Sequence, residues 1–222
     1  MLISRYTIPK RLWPALLLLS LVFLTACGGV PEGTLVYRGP TEERIAAGAS
    51  MPGTSIRYVQ STPEGAEFLI GDQRAIKKVG DSVNWKGSLG SNLAADLGLR
   101  VAVIRPEVVQ LAGTATLDVQ NVQPGSAPFP EDPAIVYRLP VTYNVKQGER
   151  IPGTLYTYEG QDEQGARIGG LPPGDFPYRQ VADSLTWTGR LADGVMLRLD
   201  LRVLFFTDQS LQVAGFATVA VG

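Results

Sequence analysis

The chain has 222 residues, with 20 lysines and arginines against 21 aspartates and glutamates, no histidine and one cysteine. Its 45% hydrophobic and 18% charged residues can form a sizeable core, which excludes a wholly disordered protein. The missing histidine removes catalytic pairs that need one and the commonest metal ligand. A single cysteine excludes an intrachain disulfide and a cysteine-clustered metal site.

The first 26 residues have the arrangement of charge and hydrophobicity that is typical of an export signal. Basic residues without any acidic residue precede an apolar stretch of 15 residues, from Leu12 to Ala26. A membrane-spanning helix needs about 20 apolar residues, so this stretch is short for a permanent span. The sequence therefore predicts a helical signal peptide that is removed.

The apolar stretch ends in Leu24-Thr25-Ala26-Cys27, which is followed by Gly28-Gly29. Leucine, two small residues and cysteine in this setting resemble the lipobox of bacterial lipoproteins. The resemblance implies cleavage between Ala26 and Cys27 and attachment of fatty acids such as palmitate to Cys27. Two or more acyl chains make a stable membrane anchor. An ordinary secretory signal that leaves Cys27 as a free thiol is the alternative.

The resemblance covers the leader alone and implies an extracytoplasmic protein, on the outer membrane or on the outer face of the cell membrane. Removal of residues 1–26 leaves 17 basic and 21 acidic residues. A nucleic-acid-binding protein would need a basic face, and no basic run occurs. We therefore expect the membrane, but no nucleic acid, among the partners.

The remaining sequence contains an internal duplication. Val36-Tyr37-Arg38 recurs 100 residues later as Val136-Tyr137-Arg138. After a length change of two residues, residues 79–119 match residues 181–221 with 16 identities in 41 positions. The predicted organisation is a signal peptide (1–26), a tether (27–32), a first β domain (33–122), a proline-rich linker (123–132) and a second β domain (133–222). One joint barrel or sandwich made by both copies is the alternative.

Each copy has the two-residue period of half-buried strands. Val83, Trp85 and Leu89 fall on one face, whereas the polar residues between Val83 and Leu89 fall on the other. The short segments 105–107 and 207–209 predict hairpin loops between the last two strands of each copy. We predict an all-β fold of two tandem duplicated antiparallel β-sandwich or small-barrel domains, with about six strands each.

The repeated tryptophans, Trp85 and Trp187, lie on the apolar face of their strands. This position predicts burial in the core, and the alternative is an exposed pair that stacks on sugar rings. Arg100 and Arg202 lie on the opposite face of a neighbouring strand. They are weak candidates for a ligand surface, and solvated side chains are the alternative.

Two further repeated pairs also have structural interpretations. Asp81 and Asp183 each precede a serine, as in aspartic proteases, but the next residue is not the glycine that those enzymes require. We expect these aspartates to bind nearby backbone in a turn. Gly113 and Gly215 lie inside apolar strands and predict a bulge or close backbone packing.

These patterns contain no residues that we assign to catalysis, to a metal or to a cofactor. We expect a non-enzymatic envelope lipoprotein that binds or scaffolds another envelope component, protein or polysaccharide. One alternative is a hydrolase of envelope glycans that uses paired carboxylates, which need no histidine. A carrier of an apolar ligand inside a β cavity is another.

Overall fold

The computed structural model describes residues 33–221, so the predicted signal peptide and the whole predicted tether, including Cys27, lie outside the described residues. The described residues form strands and the turns between them, and the all-β antiparallel prediction is confirmed. They belong to one compact unit. This part of the chain has no helix with the length and apolar character needed to cross a membrane.

The first repeat is a sandwich-like pair of antiparallel sheets. A four-stranded sheet has the order β1-β7-β6-β5, and a three-stranded sheet has the order β2-β3-β4. The strands are β1 (Leu35–Ala46), β2 (Ile56–Thr62), β3 (Gly65–Ile70), β4 (Gln73–Lys77), β5 (Ser82–Gly90), β6 (Leu93–Ile104) and β7 (Val108–Val119).

The second repeat has the same two sheets and one additional short strand, β8, from the linker. The sheet orders are β8-β13-β14-β15-β9 and β10-β11-β12. The strands are β8 (Gly125–Ser126), β9 (Ile135–Lys146), β10 (Thr157–Asp162), β11 (Gly165–Gly169), β12 (Tyr178–Arg179), β13 (Ser184–Ala192), β14 (Val195–Phe206) and β15 (Ser210–Val221). Each repeat thus has seven strands where about six were predicted, because the middle of each repeat adds a sheet of short strands.

The backbones of the two repeats correspond closely. Strand β9 begins 100 residues after β1, and β13, β14 and β15 begin 102 residues after β5, β6 and β7. The length change falls between β11 and β12, in the loop that corresponds to the tight turn between β3 and β4. Bulges interrupt equivalent strand pairs in both repeats, for example after Val101 in β6 and after Val203 in β14. Both predicted hairpin loops are confirmed.

The core lies between the sheets of each repeat. Side chains of β6 and β14 alternate between buried and exposed along most of their length, as the two-residue period predicts. A tyrosine ties the small sheet to the large one: the Tyr58 hydroxyl donates to the carbonyl of Arg105 at 2.8 Å. In the second repeat, the Tyr158 hydroxyl donates to the carbonyl of Thr207.

The two repeats also pack against each other, through β1 and β9. A Cβ placed on Gly39 of β1 would lie 2.6 Å from Cδ of Pro140 in β9. A Cβ on Gly153 would lie 3.0 Å from the Tyr37 hydroxyl oxygen of the first repeat. The predicted domain boundaries stay a prediction, and what the structure adds is that the two copies lie in direct contact.

The linker packs on the second repeat. The backbone N–H of Gln123 donates to the carbonyl of Leu191 at 2.9 Å. The guanidinium carbon of Arg198 lies 4.4 Å from the centre of the Phe129 ring, within the range of a cation–π contact. Residues 123–132 are therefore part of the folded unit.

Candidate functional site

The ring of each repeated tryptophan lies against a glycine two residues further along its strand. A Cβ on Gly87 would lie 2.5 Å from the Trp85 ring, and one on Gly189 would lie 2.6 Å from the Trp187 ring. The Trp-x-Gly spacing is therefore a packing requirement. Trp187 is 5% exposed, which confirms the core prediction, whereas Trp85 is half-buried against the core.

The outer edges of β5 and β13 lie beside these tryptophans. The backbone N–H of Val101 in β6 donates to the carbonyl of Asp81 at 3.0 Å, so the backbone polar groups of Val101 face β5. Backbone polar groups alternate in direction along a strand. With the observed register, the backbone N–H and C=O groups of residues 83, 85 and 87 of β5 point toward β6, and those of residues 82, 84, 86 and 88 point toward the outer edge.

In the second repeat, this outer edge is largely covered. Strand β8 pairs with β13 at Gly189 and Arg190. Nearby, the Tyr156 hydroxyl donates to the carbonyl of Thr186 at 2.9 Å. A groove of about 420 Å³ remains, and it is lined by Ser126, Leu155, Tyr156, Gly170, Leu171, Pro172, Pro173, Thr186, Trp187 and Thr188.

In the first repeat, the corresponding edge has none of these covers within residues 33–221. Strand β5 is the last strand of its sheet. Ile56 stands at the position of Tyr156 and supplies no hydroxyl. The two-residue turn Gly71-Asp72 stands where the second repeat has a longer loop, residues 170–177, called here the Gly-Pro loop. The two edges thus have the same strand and the same tryptophan but different surroundings.

The repeated arginines and aspartates act on the turn that precedes each edge strand. The guanidinium of Arg100 donates to the carbonyl of Gly80 at 2.9 Å, and that of Arg202 donates to the carbonyl of Ala182 at 3.0 Å. The Asp81 carboxylate accepts from the N–H of Lys78 at 2.8 Å, and Asp183 makes the equivalent contact. The turn interpretation of the aspartates is confirmed, while a ligand surface at Arg100 and Arg202 stays a prediction.

The repeated strand glycines have the close packing that the sequence suggested. A Cβ on Gly113 would lie 2.0 Å from the carbonyl oxygen of Gly98. A Cβ on Gly215 would lie 2.0 Å from the carbonyl oxygen of Asp200. Both glycines are therefore required by the approach of a neighbouring strand, and this observation gives them no part in binding.

A second cleft lies along the contact between β1 and β9. Glu43 lines two adjoining hollows of about 110 and 420 Å³. Burial raises the pKa of Glu43, and the Thr41 hydroxyl, which donates to its carboxylate at 3.3 Å, partly opposes this shift. Burial also raises the pKa of Tyr137, and the charge of Glu43 adds to that shift. At the position equivalent to Glu43, burial raises the pKa of Tyr143 to about 12.

The buried acidic residue of the three-stranded sheet has charged and polar partners. The Glu67 carboxylate accepts from the Gln60 amide at 2.8 Å and pairs with Arg74. In the second repeat Arg167 stands at the position of Glu67, and it pairs with Glu159 at 2.9 Å. Among the described residues, no group of three histidine, cysteine, aspartate or glutamate side chains could hold a metal ion.

Sequence reasoning missed the strand edges as candidate sites. Strand β8 has two small residues without hydrophobic alternation, so its pattern does not predict a strand. Tyr156 interrupts the duplication by replacing Ile56, and this difference was the available signal. Comparisons of the chain with protein-family models, with curated proteins and with solved structures found no match.

Proposed function

We propose that the protein is a lipid-anchored protein of the bacterial cell envelope, which binds or scaffolds another envelope component through its β repeats. The observation that carries this proposal is Leu24-Thr25-Ala26-Cys27 at the end of an apolar leader. Two or more acyl chains on Cys27 would hold the processed chain on a membrane surface. The repeats would then present their surfaces to other molecules of the envelope.

The tether supports a position close to the membrane. Residues 28–33 have a root-mean-square span of about 15 Å as a flexible chain. The first repeat would therefore lie next to the lipid surface, because its first strand begins at Leu35.

The groove beside Trp187 supports a binding role. Aromatic and apolar residues such as Tyr156 and Leu171 line it together with the polar residues Thr186 and Thr188. Concave surfaces with apolar walls and a few polar groups are typical of binding sites. The groove lies at the edge of a sheet, where backbone groups of β13 add hydrogen-bonding capacity.

Metabolic labelling with a fatty acid tests the anchor in the full chain. We expect label on the parent protein and none on Cys27→Ala, because Cys27 is the only cysteine. The matched control is Thr25→Ser, which keeps a small residue before the cleavage position and should retain the label. Equal labelling of the parent and Cys27→Ala would contradict the proposal.

The glycan-hydrolase and apolar-carrier alternatives stay predictions. Release of reducing sugars from envelope glycan by the purified full chain would favour the hydrolase. Co-purification of a stoichiometric lipid that survives detergent exchange would favour the carrier.

A further inference from the structure

We infer that the outer edge of β5 docks an extended segment of a different protein, which adds a strand to the sheet beside Trp85. This inference rests on the proposed binding function and assigns it a second site, apart from the groove beside Trp187, together with a class of partner. Strand addition uses backbone hydrogen bonds for affinity and neighbouring side chains for specificity. The residues that carry it are the edge-facing residues Asn84 and Lys86 and the half-buried indole of Trp85.

The second repeat indicates what this edge receives. There, the extended segment β8 pairs with β13, and a Cβ on Gly189 would lie 2.3 Å from the carbonyl oxygen of Gly125. Gly87 is the equivalent glycine in β5. Among the described residues, the three atoms nearest to a Cβ on Gly87 would all belong to the Trp85 ring. The β5 edge therefore has the receiving geometry of the β13 edge without its segment.

The processed chain cannot supply the missing segment in the same way. Ser126 of β8 lies nine residues before Ile135, the first residue of β9. The same spacing before Leu35, the first residue of β1, falls on Ala26. Ala26 is on the removed side of the predicted cleavage position. Cleavage before Cys27 would thus remove the residues that have this spacing before β1, and within residues 33–221 no strand pairs with the outer edge of β5.

A second copy of the chain is a poor occupant because of Lys86. This residue is the midpoint of β5, which runs from Ser82 to Gly90. Two-fold antiparallel pairing along the whole strand would place two Lys86 side chains directly opposite each other, and like charges in that arrangement are destabilising. Lysine on an edge strand is also a common protection against self-pairing. The occupant is therefore a different protein, whose segment has a small residue beside Gly87 and no basic residue opposite Lys86.

The first experiment asks whether the edge receives a strand. In the full chain, a second copy of residues 123–132 replaces Val30-Pro31-Glu32, so that a copy of Gly125-Ser126 precedes β1 at the spacing found before β9. We expect amide hydrogen exchange at Ser88, the counterpart of the Arg190 that pairs with Gly125, to slow at least tenfold relative to the parent. A control graft with Pro-Pro in place of the copied Gly-Ser should exchange like the parent. Unchanged exchange in the first graft would overturn the inference.

The second experiment identifies the occupant in cells. A photo-crosslinking phenylalanine analogue at Asn84 of the full chain should form an adduct with one segment of another envelope protein. The adduct should fall at least tenfold in the graft that fills the edge, and the analogue at exposed Arg38 on β1 should not form it. An adduct with a second copy of this chain, or one that the graft leaves unchanged, would overturn the inference. Fatty-acid labelling reports on the anchor separately.

Discussion

Strands β5 and β13 share the Trp-x-Gly sequence and the same pairing with their neighbouring strand, but their outer edges differ. The β13 edge is paired with β8 and contacted by the Tyr156 hydroxyl, and the Gly-Pro loop lines the groove beside it. The β5 edge has Ile56 and a tight turn at the corresponding positions. Trp187 is buried and Trp85 is half-buried as a result. Duplicated strands can therefore acquire different exposure from the segments that surround them.

The largest expected effect tests what the repeats share. Gly113→Ala and Gly215→Ala should each lower the free energy of unfolding by about 3 kcal/mol or more, because the new Cβ would collide with a backbone oxygen that cannot move freely. Urea denaturation measures the change. The control is Gly98→Ala, since a Cβ there has no neighbour within 4 Å. Tolerance of the substitution in one repeat would show that the repeats pack differently.

The next effect separates the two edges. Gly189→Ala should lower the free energy of unfolding by about 2 to 3 kcal/mol, because the Cβ would meet the backbone oxygen of Gly125 as well as the Trp187 ring. Gly87→Ala should cost about 1 kcal/mol, since a half-buried Trp85 ring can shift. Urea denaturation and tryptophan fluorescence follow both variants. Equal losses would mean that the cover on β13 adds no rigidity.

A smaller effect concerns the turns that precede the edge strands. Ala182 has a φ of 73°, a left-handed conformation that L-residues adopt at a cost, and its counterpart Gly80 has a φ of 93°. Ala182→Gly should therefore stabilise the protein by up to about 1 kcal/mol. Gly80→Ala should destabilise it by about 1 kcal/mol through backbone conformation alone, because a Cβ there meets nothing within 4 Å. Thermal unfolding measures the stability of both variants. A change in the same direction for Ala182→Gly and Gly80→Ala would contradict the prediction.

The smallest effect concerns the contact between the repeats, where Glu43 stands opposite Tyr137 and Tyr143 takes the equivalent position in β9. Burial raises the pKa of Glu43 above 4.5, so the folded state binds its proton more tightly than the unfolded state. The protonated Glu43 carboxyl therefore contributes its full stabilisation below the pKa that it has in the unfolded chain. This stabilisation is lost as the pH rises through the pKa of Glu43 in the folded protein. Glu43→Gln should remove that loss.

We expect Glu43→Gln to be more stable than the parent at pH 7 by about a few tenths of a kcal/mol, since the carboxylate is partly solvated. At pH 4 the two proteins should have similar free energies of unfolding. Urea denaturation at both pH values makes the comparison. Parallel stability curves across this range would show that the carboxylate does not respond to its burial at the β1–β9 contact.

The parts of the fold that depend on local sequence patterns could be predicted from the sequence. Alternation around Trp85 and Trp187 predicted which face of each strand is buried, because side-chain direction follows strand periodicity. The positions of Arg100 and Arg202 on the opposite face were predicted as well. Their contacts with turn carbonyls were not, because a face does not specify which of several acceptors an arginine reaches.

The candidate edge was not accessible in the same way. Strand β8 contains only Gly125 and Ser126, which carry no hydrophobic pattern, and it pairs with a strand far along the chain. Strand β8 forms only because its backbone pairs with β13 at Gly189 and Arg190. The contact of Gly39 with Pro140 likewise depends on how β1 lies over β9.

The sequence alone determined the duplication and the alternating strands, and it carries the apolar stretch before Cys27 that predicts an export leader, since each is a property of neighbouring or regularly spaced residues. The tertiary structure decided that the repeats pack together, that the linker covers one sheet edge and that Glu43 lies in a cleft. These features depend on contacts between distant segments, whose stability is set by shape, burial and backbone pairing in three dimensions. Patterns of neighbouring residues in the sequence do not specify these contacts.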